Sequence, residues 1–420
     1  MRSQDLRSRA AGSVALAMVL AACAACSWSP PPDPSSASIA PQAVLTGDQE
    51  PIDFTQIENP REATADDYSV VGTISPSEPG EIYNVLAIDD EGRALVDHTS
   101  ESAYDPETNG MKEPGIIELW RDGGFTELGD TTALVEGDRP RQSYGGELTD
   151  TDAVWVETES ADLAVSDWRI FRRDLHGDGS PELVATSEKV AGQDNLPIVA
   201  GDSRPVISND RIYWKTAYRR DDESYRTRLV SVGLGQTEVR DELDLTGDPQ
   251  PVDQGVVVFR MTDETTEGTD SPEQTQDPRG IAGVTLLRPD GSKQELVSFS
   301  SDTNDNWFPS NLAGSGAHYA FVLDGAVHVL SADADLAVRI PTDEDLVVSE
   351  LSVCDGRVVW ALRDQASTAV RRMVYNIASG QLASVETPNS FGGTYCGGDY
   401  VAWGQSGADG RNETVITRWS

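Results

Sequence analysis

One short phrase recurs seven times between residues 80 and 405. It is a turn pair containing Gly or Asp, then two or three apolar residues, closing on a large side chain. The copies run from Glu91-Gly92 to Val96, Thr151-Asp152 to Trp155, Asn209-Asp210 to Trp214, Gln254-Gly255 to Phe259, Ser315-Gly316 to Phe321, Asp355-Gly356 to Trp360 and Gly398-Asp399 to Trp403. Successive endpoints are 59, 59, 45, 62, 39 and 43 residues apart. A four-stranded unit repeated every forty or so residues is the sequence signature of a propeller blade. The expected fold is therefore all-β, a seven-bladed β-propeller of antiparallel four-stranded blades. The uneven spacing leaves six or eight blades as alternatives.

Each repeat reads as strands a to d. Strand a leads into the turn, strand b carries the endpoint residue, and c and d form a second hairpin. Ile116 to Trp120 before Asp122-Gly123, Val284 to Arg288 before Asp290-Gly291, and Met373 to Tyr375 before Ser379-Gly380 carry that hairpin signal. No sustained 3.6-residue apolar period follows residue 66, so helix should be rare. The seventh repeat ends at Trp419 without a d strand, and the apolar run Tyr68 to Ile74 has no blade of its own. That run is expected to close blade seven, so that the sheet leaves no open edge. Trp155, Trp214, Trp360 and Trp403 are expected to pack between blades.

The N-terminus reads as an export signal over residues 1–22, with Arg2, Arg7 and Arg9 ahead of 13 small or apolar residues. That stretch is shorter than the ~20 residues a membrane span needs. Leu20-Ala21-Ala22-Cys23 resembles the bacterial lipobox, which implies a lipidated Cys23 and an anchor outside the cytoplasm. Cys26 is a poorer match, because Cys23 stands three residues before it. Residues 23–66 include a Pro- and Ser-rich stretch and read as a disordered tether, leaving 67–420 for the propeller. Formal net charge is −39; removing the three Arg and one Asp of residues 1–22 takes it to −41. Such a surface repels nucleic acid and anionic headgroups, so membrane contact is expected through the lipid alone. Solubility accounts for the charge, and a cationic partner or divalent ions would also exploit it.

Cys354 and Cys396 precede Trp360 and Trp403 by six and seven residues. Equivalent positions in consecutive blades can meet near the axis, so they are candidates for a disulfide in an oxidising compartment, the alternative being two buried thiols. The b–c connections after Val96, Trp155, Trp214 and Phe259 are long and should gather on one face, the candidate binding face. The acidic insertion Thr262–Pro278, with Asp263 and Glu264, would be a flap there, unless it reflects neutral drift in loop length. Trp120, Trp168 and Trp307 lie outside the endpoint register and are candidates for ligand contact.

The run of blades with Asp-Gly hairpins behind a lipobox resembles the TolB-type and WD-like propeller domains of exported bacterial proteins. That resemblance covers about residues 68–420 and implies binding or scaffolding of an envelope protein or surface polymer, here by a monomer. Two other functions are weighed beside it. Asp174-Leu-His176-Gly-Asp178-Gly179-Ser-Pro-Glu182 resembles the calcium loop of FG-GAP repeats; it implies Asp174, Asp178 and Glu182 as oxygen ligands in a calcium-stabilised adhesion domain, although His176 departs from the pattern. The plain alternative is the c–d turn of blade two. A carbohydrate hydrolase would use paired carboxylates at the axis. The four histidines (His98, His176, His318, His328) form no metal-binding pair, and no nucleophile elbow occurs, so no catalytic residue is assigned.

Overall fold

The computed structural model describes residues 43–45 and 51–420, apart from residues 106, 108–109, 136–139, 160–167, 178, 188–203, 220–224, 263–280, 300–308, 334, 344, 365–369, 388–389 and 408–409. The described residues belong to one compact unit, Ile39–Ser420. Three short strands come first: β1 (Ala43–Leu45), β2 (Thr55–Gln56) and β3 (Arg61–Glu62), followed by β4 (Tyr68–Ile74). Blade one is β5 (Glu81–Ile88), β6 (Ala94–Ser100), then a miniature hairpin of β7 (Tyr104–Asp105) and β8 (Gly110–Met111), then β9 (Ile116–Arg121) and β10 (Gly124–Glu127). Blade two is β11 (Gln142–Leu148), β12 (Asp152–Thr158), β13 (Arg169–Asp174) and β14 (Glu182–Thr186). Blade three is β15 (Val206–Ser208), β16 (Arg211–Arg219), β17 (Tyr225–Gly233) and β18 (Arg240–Asp244). Blade four is β19 (Gln250–Val252), β20 (Gly255–Met261), β21 (Ile281–Leu287) and β22 (Lys293–Phe299). Blade five is β23 (Ser310–Ser315), β24 (His318–Leu323), β25 (Ala326–Ser331) and β26 (Ala337–Pro341). Blade six is β27 (Leu346–Cys354), β28 (Arg357–Asp364), β29 (Val370–Asn376) and β30 (Gln381–Thr387). Blade seven is β31 (Ser390–Gly397), β32 (Tyr400–Ser406), β33 (Asn412–Trp419) and, on its outside, β4.

The seven a–b turns lie where the repeated phrase puts them. In blade three, Asn209 and Asp210 both take positive φ (50° and 59°), the two-residue geometry whose twist matches the flanking strands. The innermost strands pack side by side round the axis, β5 against β11 and so on to β31, which returns to β5. Closure is completed at the rim: β4 pairs antiparallel with β33, from Tyr68 opposite Trp419 to Ile74 opposite Thr414. The last strand and the run Tyr68–Ile74 thus share one sheet, as the sequence leads one to expect.

Each wedge between neighbouring blades holds one apolar cluster. A sheet covered on both faces needs apolar residues on both, which is why β12 is buried along its whole length. The large residue of strand b faces the preceding blade: Trp155 packs against blade one, Trp214 against blade two, Trp360 against blade five and Trp403 against blade six. Blade four departs from this. There Val258 faces blade three while Phe259 turns to blade five and meets Phe321, ring centroids 6.3 Å apart. Phe259 is the fifth residue of its strand and Trp214 the fourth of its own, so the period of two reverses its face.

Cys354 and Cys396 form a disulfide, Cα–Cα 5.6 Å, that ties the innermost strands of blades six and seven. Further ties cross between blades at the a–b turns. Arg93 Nη2 donates to Thr149 O at 3.1 Å, Asp253 N to Gly316 O at 2.7 Å, and Arg357 Nη1 to Asp399 Oδ1 at 2.7 Å.

The reading of residues 23–66 as a disordered tether is corrected for its last part. β1 adds to β22 on the outer edge of blade four, β2 to β26 of blade five and β3 to β30 of blade six. Strands β1 to β4 therefore lie on the rim of four consecutive blades. Ile52 and Phe54 pack into the wedge between blades four and five, Ile57 between five and six, and Ala63 and Tyr68 between six and seven. Blades fan apart away from the axis, and these side chains cover apolar surface that the gap would leave wet. The remainder of the tether, including Cys23, lies outside the described residues.

Candidate functional site

An antiparallel blade with its first strand innermost puts the a–b and c–d turns on one face of the disc and the b–c and d–a connections on the other. Polar groups gather on both faces, at the ends of the inner strands or in the wedges beside them.

The a–b face carries a cavity of about 360 Å³. Its wall is formed where four consecutive inner strands end: Glu147 of β11, Ser208 and Asn209 at the end of β15, Pro251 to Asp253 at the end of β19, and Ser315-Gly316 at the end of β23. Glu147 is half-buried against this space, and its enclosure pushes the carboxyl up to about 7. Desolvation acts there without an opposing cation.

The b–c face holds two buried clusters and one half-exposed group. Between blades one and two, Asp97 and Glu157 are 1% and 5% exposed. Glu157 accepts from Trp155 Nε1 at 2.8 Å, Arg141 Nε at 3.1 Å and Thr131 Oγ1 at 3.0 Å. Asp97 Oδ1 has no hydrogen-bond partner. Burial first, and then the Glu157 charge, push Asp97 up to about 8, so at neutral pH it is largely a carboxylic acid. Between blades six and seven, the Arg372 guanidinium is fully buried and meets the Glu350 carboxylate and the hydroxyls of Thr394 and Ser390. Glu350 sits at a bulge in β27 with φ 56°, a conformation that costs a non-glycine residue energy; Arg363 holds its other oxygen. On blade one, His98 stacks on Tyr83 at 4.3 Å, with Glu118 3.3 Å from Nδ1 and Glu81 3.8 Å from Nε2. None of these groups was legible in the sequence, because each joins residues from different strands or different blades.

The residues singled out from sequence fare differently. Trp120 and Trp168 are corrected: both are core. Trp120 is 4% exposed in the wedge between blades seven and one, and a Cβ on Gly72 would come within 2.3 Å of its ring. Trp168 is 1% exposed and meets Trp214 edge-on at 6.0 Å. A strand position just outside the endpoint register still faces a neighbouring blade, because both faces of every sheet are covered. Trp307, Asp263 and Glu264 lie outside the described residues. Asp174 and Glu182 flank the β13–β14 turn of blade two. Asp174 Oδ1 accepts from the His176 amide at 2.9 Å, and Glu182 Oε2 pairs with Arg172 Nη1 at 3.4 Å; Asp178 lies outside the described residues. Among the described residues no group of three His, Cys, Asp or Glu side chains is placed to hold a metal, and no helix is long and apolar enough to cross a membrane.

No protein-family model and no curated protein matches the chain. Solved structures do match in fold. An acylaminoacyl peptidase of Pyrococcus horikoshii is similar at TM-score 0.52 and 11% identity, over 81% of this chain and 52% of that one. A puromycin-hydrolysing peptidase of Mycobacterium tuberculosis is similar at TM-score 0.51 and 13% identity, over 85% of this chain and 55% of that one. This chain spans about half the length of each. The β-propeller domain of the Trilobed protease from Pyrococcus furiosus, described as an open velcro, is similar at TM-score 0.52 and 10% identity, over 81% of this chain and 94% of that one. At such identity the likeness is one of fold, the seven-bladed propeller, here with a paired β33–β4 closure.

Proposed function

We propose that this chain is a lipid-anchored, extracytoplasmic binding module that engages a protein or surface polymer through its b–c face. One observation carries the reading: the asymmetry of the connections. Long stretches of sequence join the strand ends on that face at β6–β9, β12–β13, β20–β21 and β14–β15; the β16–β17 connection, expected to be long after Trp214, is short because β16 runs on to Arg219, and the a–b turns opposite are tight and several are tied to a neighbour. Insertions gather where a scaffold tolerates them and where a partner can select them. The acidic surface favours a neutral or cationic partner. A hydrolase of the paired-carboxylate kind draws less support, since Asp97 and Glu157 are sealed in a wedge away from solvent.

The test is site-specific photo-crosslinking in intact cells. A crosslinker at exposed Lys112 in the β6–β9 connection or at exposed Asn311 in β23 should give a discrete adduct. One at Asp290, in the c–d turn of blade four, should not. Equal adducts from both faces, or adducts from Asp290 alone, would refute the assignment of the face. In the same cells Cys23→Ser should move the protein from the membrane to the soluble fraction; retention on the membrane would refute the lipid anchor.

A further inference from the structure

We propose that the cavity at the ends of the inner strands of blades two to five, on the a–b face, is a second binding site, for a small organic cation bearing primary ammonium groups.

Several acidic groups on this face stand beside a cation. Asp89 has Arg93, Asp152 has Arg172, Glu242 has Arg211 and Asp399 has Arg357. Glu147 faces the cavity and has no hydrogen-bond or ion-pair partner among the described residues. A carboxylate withdrawn from water without a counter-charge is costly, and a fold that retains one leaves a place for a cation.

The walls narrow the class of cation. Asp253 lines the cavity from the turn after β19, and Asp355 lies beside Gly316 at the rim, 3.7 Å from where a Cβ on that glycine would stand. Both add negative potential. Asn209 and Ser315 offer oxygen acceptors for N–H donors, and Ile207, Pro251 and Val252 offer apolar surface for methylene groups. The volume falls within the range of small-molecule sites. A bare divalent ion is disfavoured, because no three ligating side chains converge there among the described residues. Anions are repelled. An alkyl diamine satisfies the lone carboxylate, the rim charge and the apolar wall together.

The experiment is calorimetric titration of the full chain with 1,4-diaminobutane at neutral pH, with calcium chloride and sodium chloride as reference titrants. Wild type should bind one equivalent saturably, and Glu147→Gln should weaken binding about tenfold or more. Asp290→Asn, which removes an exposed charge from the same face, should leave it unchanged. Ser315→Leu, which fills the cavity and keeps Glu147, should also abolish binding and guards against a folding defect in the first variant. Absence of saturable binding overturns the proposal. So does equal binding by wild type and Glu147→Gln, or displacement by sodium chloride to the same degree in every variant.

Discussion

Tyr68 and Trp419 sit opposite one another in the β4–β33 ladder with their rings stacked, centroids 4.9 Å apart and planes 21° from parallel. They are 351 positions apart in the sequence. The same stack borders Trp403, whose ring meets Tyr68 edge-on at 6.3 Å, so the closing ladder and the wedge between blades six and seven share one aromatic cluster. Trp419→Ala should therefore lower unfolding free energy by about 3–5 kcal/mol, the usual range for a buried Trp. Chemical denaturation of wild type and variant measures it. A loss below about 1 kcal/mol would mean that the ring holds without this contact.

The disulfide acts beside that closure at the hub. It joins residues 42 apart, and a loop of that length is worth about 2–4 kcal/mol through the unfolded chain. Cys354→Ala with Cys396→Ala should lower the melting temperature of the oxidised protein, and reductant should then have no further effect on the double variant. A reductant-sensitive melt in the double variant would point to another bridge.

Asp97 gives a pH dependence whose sign is fixed by its environment. Burial raises its folded value to about 8 from an ordinary value of 3.8, so the folded state holds the proton more tightly than the unfolded one. The group's contribution is fully favourable below about 4 and is lost as pH rises through 8. Asp97→Asn should raise stability at pH 8 by on the order of a few kcal/mol and should change it little at pH 4. Melting curves from pH 4 to 9 read this directly, and a pH-independent difference would contradict it.

His328 has the opposite sign. Buried at 3% exposure, stacked on Phe321 at 5.3 Å and capped edge-on by Phe54 at 5.0 Å, its imidazole is lowered to about 4, first by burial and then by Arg339. The unfolded chain takes up that proton from about 6.5 downward, so stability falls between pH 6.5 and 4. Phe54 belongs to the rim segment, so acid should loosen that segment as well. His328→Phe should flatten the acid limb of the stability curve. Hydrogen exchange over residues 51–57 should rise at pH 4 in wild type and less in the variant; equal exchange in both would separate His328 from the rim segment.

The sequence by itself determined the blades. Turn pairs, apolar strands and large strand-b residues are local signals, and every blade but the fourth sets its strand-b residue toward the blade before it. It also pointed to the closure, because the run Tyr68–Ile74 has no blade of its own and β33 takes it as an outer partner. Tertiary structure alone decided three things. Ile52, Phe54 and Ile57 stand in a polar segment, and the wedges they fill exist once blades have fanned apart. Trp120 and Trp168 became core because sheets in a ring are covered on both faces. The Asp97–Glu157 pair, the Arg372 cluster and the isolation of Glu147 arise where neighbouring blades or strands meet, at distances that no spacing along the chain encodes. Contacts within a blade are written in adjacent residues, whereas contacts between blades depend on the angle at which the ring sets one sheet against the next.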